Sequence, residues 1–444
     1  MARAPTLLLF NYDWDAVATD RLKDQWPSMN AGFDLFSFPS NARLAWFDMQ
    51  RFAHLHGRIA KARGARAVMS HHEQFGALCA ALVAEQNGWP GTPVNAILAC
   101  QHKLYARHIL QQVAPEANTH FSPLPSRYGE DIPDGLTYPA YVKPVKAAFS
   151  VLAREVQSRE ELQAHTRFAP WELWVIRHLV EPFDKLVRQR IPLAGSAHKL
   201  MLEGPVKARQ YCLDGYVYKG VVHTLGVVDS VMYPGTDCFM RFDYPGHLPA
   251  AAQAHAADVA TRFLQAVGFD HGLFNMEFFH DEDSDKLTVI EFNPRMASQF
   301  SDLYQRVDGI NLHAIGFHLA HGEDPALELT RRKHPDSRGA ASSFVFRSFD
   351  AQAKIVFPSD AQKRQLHAQF PDALLFEFPK DAEQIARDFK WLRSYRYGIL
   401  HLGADSETAL RQACEKACAI LGWPLPYADE PHKHDNTVSS KSVV

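Results

Sequence analysis

Two carboxylates and an amide interrupt runs that otherwise look like buried strands. In LTVIEFNPRM (287–296), Leu287, Val289, Ile290 and Phe292 are apolar, Glu291 and Asn293 are not, and Pro294 and Arg295 close the run. Strand side chains alternate faces, so Glu291 and Asn293 share one face while Ile290 and Phe292 are expected to face the core. The upstream run GLFNMEFFH (272–280) repeats the pattern, with Asn275 and Glu277 on one face and Phe274, Met276 and Phe278 on the other. The polar stretch HDEDSDK (280–286) predicts a hairpin, and a register symmetric about residue 284 sets Glu277 across from Glu291. Like charges directly opposite each other destabilise a sheet unless a cation lies between them. Oxygen ligands of this kind suit Mg²⁺ or Mn²⁺ rather than zinc, and magnesium binds through one or two carboxylates together with substrate phosphates. The same alternation also fits the solvated outer face of an antiparallel sheet. The hairpin alone leaves both readings open.

Other elements must hold this hairpin. The first hundred residues alternate short apolar runs, TLLLF (6–10), FDLFSF (33–38) and ARAVMS (65–70), with helical patterns such as FGALCAALVAEQNG (75–88). That rhythm predicts an α/β unit with a parallel sheet. NYDWDA follows the first strand, so the glycine-rich dinucleotide fingerprint is missing. One helix is predicted over 95–113, then a Pro-rich connector, SPLPSRYGEDIPDG (122–135), and a strand in YPAYVKPV (138–145). Ser158 and Glu161 are spaced as a capping box. From about residue 199 the pattern turns antiparallel, with Asp214-Gly215 as a two-residue turn signal. A helix is predicted over 256–268, and a mixed segment over 340–423 ends in an amphipathic helix. The tail from Ala428 to Val444 reads as disordered.

Taken in order, these segments resemble the ATP-grasp superfamily. E-x-N-P-R after a strand, with a glutamate fourteen residues upstream, is similar to its metal-binding hairpin. CQHKLYARHIL (100–110), YPAYVKPVKAAFS (138–150), KLMLEGPVKARQY (199–211) and GINLHAIGFHLAHGEDP (309–325) are similar to its lid-entry helix, lid strand and phosphate loop, adenine hinge, and helix after the hairpin. The resemblance implies an α/β ATP-grasp fold. Its parts would be an N-terminal Rossmann-like domain (1–112), a lid (113–200), an antiparallel-sheet ATP-binding core (201–330), a C-terminal subdomain packed on the core (331–427) and the tail (428–444).

The resemblance also implies roles. Lys103 and Lys143 would meet the α- and β-phosphates of ATP, with Lys146 assisting. Leu202 and Glu203 would contact adenine through their backbone. Gln210 stands where the family usually places a glutamate on the ribose. Glu277, Glu291 and Asn293 would hold Mg²⁺ (or Mn²⁺), and Arg295 would neutralise the transferring phosphoryl group and an acyl phosphate. The phosphate loop, VKAAFSV, departs from the usual glycine-rich form at Ala147, Ala148 and Ser150. Arg241 is a candidate third basic residue, with a surface arginine as the alternative.

The implied activity is ATP-dependent carboxylate–amine ligation through an acyl phosphate, with amino acids or amino-acid-like molecules among the substrates the resemblance suggests. A biotin-carboxylase-like activity ranks lower, because MASQFSDLYQRVDG (296–309) follows the Asn-Pro-Arg in place of that branch's Gln-Val-Glu-His. Ala297, Ser298 and Gln299 would instead shape a site for a larger carboxylate. A non-catalytic nucleotide-binding module is the remaining alternative. The expected partners are small carboxylates and amines, with a homodimer suggested by the resemblance.

Composition narrows the rest. A chain of 444 residues predicts two or three domains, and 46% hydrophobic with 22% charged residues is ordinary for a globular protein. A net charge of -3 gives no reason to expect nucleic acid or an anionic membrane. No apolar run approaches the ~18 residues of a membrane span, and TLLLF is too short for a signal peptide. Six scattered cysteines fit reduced thiols in the cytoplasm. His71, His72 and Glu73 follow a predicted strand end, where α/β domains receive ligands, although a helix cap or solvated loop is the plainer expectation. The HKH of the tail (432–434) is expected to be inert.

Overall fold

The computed structural model describes residues 3–34, 40–126, 128–147, 152–333 and 339–427. The expected disordered tail, Ala148 and Ser150 lie outside the described residues. In the N-terminal unit, strand β1 (Thr6–Leu9) is buried along its whole length. After it come α1 (Asp13–Arg21), β2 (Ser28–Ala31), α2 (Met49–Ala62) and β3 (Ala67–Met69). The three strands pair in parallel in the order β2-β1-β3. The second strand thus lies earlier than the FDLFSF run that the apolar pattern suggested; Phe33 and Asp34 are outside it, and 35–38 are among the residues not described.

Helix α3 (Gly76–Asn87) buries every residue from Gly76 to Ala84 and stops at Gly88, whose φ of 64° suits glycine. The single helix expected over 95–113 is two, α4 (Val94–Gln101) and α5 (Lys103–Val113). The break is at His102, which leaves helical backbone angles and whose Nδ1 accepts from the Tyr105 N–H at 3.1 Å. This puts Lys103 at the first position of α5, with its backbone N–H bonded to the Val145 carbonyl at 3.0 Å.

A second, antiparallel sheet is formed by β4 (Phe121–Pro123), β5 (Ala140–Pro144), β6 (Arg154–Val156) and β7 (Leu200–Glu203), in the order β4-β7-β5-β6. It carries α6 (Arg159–His165) and α7 (Pro170–Arg190). Ser158 caps α6 as the sequence indicated, with the Glu161 N–H at 3.2 Å from its Oγ. Because β7 pairs inside this sheet, the hinge strand belongs structurally to the preceding segment rather than to one starting at residue 201.

The third sheet is antiparallel and eight-stranded, in the order β12-β11-β8-β9-β10-β13-β15-β14. Its first strands are β8 (Arg209–Tyr218), β9 (Val221–Met232) and β10 (Phe239–Tyr244), followed by α8 (Ala250–Ala266), β11 (Gly272–Asp281) and β12 (Lys286–Asn293). Then come α9 (Ser301–Asp308), α10 (Leu312–Ala320), α11 (Ala326–Leu329), β13 (Ala340–Ser348), α12 (Asp360–Gln369), β14 (Leu374–Glu377), α13 (Ala382–Leu392), β15 (Tyr395–Ala404) and α14 (Glu407–Leu421). The last three strands continue the sheet of β8–β12, so the C-terminal segment extends the core sheet as well as packing on it.

The turn expected at Asp214-Gly215 is absent, and β8 runs straight through it. Asp214 is buried and accepts from Asn275 and Tyr304, which a solvated turn could not offer. Gly215 sits at a bulge where an added Cβ would come within 2.5 Å of the His223 carbonyl and of the Phe274 ring. The turn falls at Lys219-Gly220, with φ of 51° and 76°. No helix among the described residues is long and apolar enough to cross a membrane.

Candidate active site

The β11–β12 hairpin has the register that alternation implied: Glu277 pairs with Glu291, and Asn275 with Asn293. Below that rung the register shifts, so Phe278 pairs with Val289 and Ile290 is the extra residue. Phe292 faces the core as expected, its ring 3.7 Å from that of Phe263 in α8. Ile290 does not join the core cluster; its carbonyl, exposed by the bulge, accepts from Arg107 at 3.2 Å and Lys143 at 3.4 Å.

The two glutamates behave as an unequal pair. Burial and the charge of Glu291 push Glu277 well above the usual carboxylate range. Burial also opposes ionisation of Glu291, but the ammonium of Lys103, in direct contact with it, outweighs burial and holds that carboxyl low. Gln210 donates to Glu277 at 3.1 Å, so it bonds a carboxylate of the site rather than standing alone. Asn293 donates to Glu277 at 3.0 Å and to Asn275 at 3.2 Å. Asn275 in turn donates to Asp214 at 3.0 Å, and Tyr304 donates to the other oxygen of Asp214 at 3.0 Å. With its N–H groups committed, Asn293 keeps its carbonyl oxygen for a cation. The donor set therefore fits a hard divalent ion: two carboxylates on one rung, an amide oxygen beside them, and an ammonium already drawn to the more acidic carboxylate.

Buried cations gather around this rung. Glu203 lies between Arg107 at 2.7 Å and Lys143 at 2.8 Å, and all three are nearly inaccessible. Lys146 donates to Gln101 at 3.1 Å and lies 5.0 Å from the ring centre of Phe183. Burial lowers Lys143 to about 8 and Lys146 to about 7, because neither has enough negative charge beside it. Such a surplus of desolvated positive charge fits a polyphosphate. Arg107 escaped the sequence reading, although it follows Lys103 by four residues and so shares its face of α5. Leu202 packs its side chain into the core of the small sheet, and the side chain of Glu203 is occupied by its two cations.

Arg295 donates to Glu73 at 2.8 Å, while its Nε is buried without a hydrogen-bond partner. The loop after β3 is thus neither solvated nor a cap. His71, His72 and Glu73 are 6%, 7% and 7% exposed, and Phe75 precedes α3 in the capping position. Burial lowers both histidines to about 4, so they are neutral near pH 7. His72 stacks on Tyr12, ring centres 4.8 Å apart. Asp15 bonds His313 at 2.9 Å, and the other nitrogen of His313 bonds Ser301 at 2.9 Å. Two expected residues lie elsewhere. Arg241 pairs with Asp243 at 2.8 Å and covers the ring of Tyr427, away from the lysines. Gln299 donates to Ser343 at 2.8 Å, toward β13.

No family model and no curated protein sequence matches the chain. Solved structures do. The L-amino acid ligase of Bacillus licheniformis superposes with a TM-score of 0.70 at 16% identity, over 95% of this chain and 98% of that one. Phosphoribosylglycinamide synthetase of Anaerococcus prevotii gives 0.62 at 10% identity, over 95% and 99% of the two chains. Biotin carboxylase of Campylobacter jejuni, in complex with an ATP species, gives 0.59 at 14% identity, over 95% and 92%. The chain has the ATP-grasp fold. Across nearly its whole length it is similar to enzymes that share that architecture while differing from it at more than four positions in five.

Proposed function

We propose that this protein is an ATP-dependent carboxylate–amine ligase that works through an acyl phosphate, with amino acids as the substrates to test first. The observation that carries the reading is the Glu277–Glu291 rung, set among buried Lys103, Lys143, Lys146 and Arg295. The likeness to an L-amino acid ligase supports the choice of substrates.

In this reading Glu277, Glu291 and Asn293 hold the divalent ion. When bound, that ion withdraws charge from the phosphate oxygens of ATP. Lys103, Lys143 and Lys146 fix the phosphates in place, and the backbone of Leu202 and Glu203 meets the adenine. The substrate carboxylate attacks the γ-phosphate; ADP leaves and the acyl phosphate forms. The amine then attacks the acyl carbon, phosphate departs, and the nitrogen loses a proton. Arg295 stands at this centre, held by Glu73, where it neutralises charge in both steps. The protein contributes positioning and charge, with no covalent link to substrate.

Phosphate release from ATP and Mg²⁺, screened over amino acids singly and in pairs, tests the proposal. Release that needs two amino acids and disappears in Glu291→Gln supports it. Stimulation by bicarbonate with biotin, or tight nucleotide binding with no turnover across the screen, sinks it.

A further inference from the structure

A cavity of about 70 Å³ runs between α3, α10 and the start of β11. One wall is the face of α3 made by Ala77, Ala80, Ala81 and Ala84, at spacings that place them in one row. The facing wall contains Gly316 of α10, where an added Cβ would lie 2.7 Å from the Met69 sulfur and 3.5 Å from His71 Nε2. The outer end is bordered by the partly exposed Gly91, Thr92 and His271. The inner end is His71 and Arg295.

That inner end is unfinished. His71 is 6% exposed, and neither of its ring nitrogens has a hydrogen-bond partner. The Nε of Arg295 is in the same condition. Burying unpaired polar atoms costs stability, and native structures seldom tolerate it without a ligand or water to satisfy them. A neutral imidazole offers one donor and one acceptor. Most of the remaining lining is apolar, with Met69, Ile97, Leu273 and Leu319 beside the alanine row and Gly316, while Ser70, Thr92 and His271 add polar groups. An aliphatic chain laid along the alanine row is expected to fit best unbranched, because a methyl on its third carbon would press on that row.

We propose that this slot holds the carbon chain of the acyl substrate: an unbranched aliphatic 2-amino acid, its carboxylate at Arg295, its amino group on His71 and its side chain along the alanine face of α3. The inference rests on the ligase reading for the identity of the carboxylate as the reacting group. The slot itself is tested by binding alone.

The experiment is calorimetry on the full chain, without ATP, using 2-aminobutyrate, norvaline and norleucine against valine and isoleucine, with the corresponding des-amino acids as a second series. Affinity is expected to rise about threefold to fourfold per added methylene until the slot is full, and to fall at least tenfold for the β-branched acids. Ala81→Leu, which fills the middle of the slot, is expected to abolish the length dependence. His71→Phe is expected to erase the difference between the amino and des-amino series. Should Ala81→Leu fail to fold, as judged by its melting curve, Ala84→Val at the next turn is expected to cut off the longest chain. Affinity indifferent to length and branching in the native protein overturns the proposal, as does an unchanged length preference in a folded slot-filling variant. Length-dependent binding without turnover in any amino-acid pair would instead retire the ligase reading and leave the slot standing.

Discussion

The β11–β12 hairpin and the loop that carries His71, His72 and Glu73 both bury polar groups near Arg295, in opposite ways. On the hairpin, Glu291 is matched by Lys103, and Glu277 accepts from Gln210 and Asn293. In the loop, Glu73 is matched by Arg295, but the nitrogens of His71 have no partner. The hairpin is therefore an ionic site in which one cation stands where another could bind. The loop couples the Glu73–Arg295 ion pair to a neutral imidazole whose two nitrogens have no partner. In the proposed ligase reading, the first kind of surface would serve the polyphosphate and the second the small organic acid.

Substitutions can break this contrast. Glu291→Gln is expected to have the largest effect, lowering turnover by about 10³-fold or more, since it removes a proposed metal ligand and the partner of Lys103; single-turnover phosphate release measures it. Glu73→Gln comes next. It leaves Arg295 in place but unpaired, and a fall of about 10–100-fold is expected, of the size seen when a supporting partner of a functional group is lost. The fall should show mainly in kcat, because the carboxylate of Glu73 orients a residue that acts in the transition state.

A pH series sharpens the comparison from the ionic side. Lys146 titrates at about 7 in the ligand-free fold, against ~10.4 in an unfolded chain. Between those values the unfolded chain binds the extra proton, so this group makes stability rise with pH from about 7 upward, and its penalty is fully present below that. Lys146→Met is expected to flatten the rise, giving a protein that melts higher than the native one at pH 6 and binds ATP more weakly. Nucleotide binding at pH 8 should take up protons as the phosphates recharge Lys146, which calorimetry in buffers of different ionisation heat would register. His71, by contrast, is already neutral at these pH values, so His71→Phe should leave the nucleotide's pH dependence unchanged and alter only affinity for the organic substrate.

The same two regions show what sequence could reveal. The hairpin was legible because its information is local: period-two alternation fixed which side chains share a face, and a short polar turn fixed the rung. Its bulge was not, so Ile290 was expected to face the core when in fact its carbonyl serves Arg107 and Lys143. The plainer expectation for the loop, a helix cap or a solvated turn, fails because its partners are remote. Arg295 lies 222 residues from Glu73, and the helix that walls His71 belongs to α10. Asp214-Gly215 failed for a related reason: a turn signal lost to burial against Asn275 and Tyr304, which no local pattern encodes. The two-helix break at His102 was also missed, since nothing in its immediate neighbours is a helix breaker such as proline or glycine.

That break carries a consequence. By starting α5 at Lys103, it ties one residue's backbone to Val145 just past the end of β5 and its ammonium to Glu291. In the proposed reading, Lys103 would be a counter-ion that moves from Glu291 to the phosphates of ATP. It leaves Glu291 readily only if an anion waits to receive it, so a divalent ion offered without nucleotide competes against a resident charge, and nucleotide offered without the ion must pull that charge away uncompensated. Metal and nucleotide should therefore enter as an exchange, each strengthening the other, with the lysine passing between them.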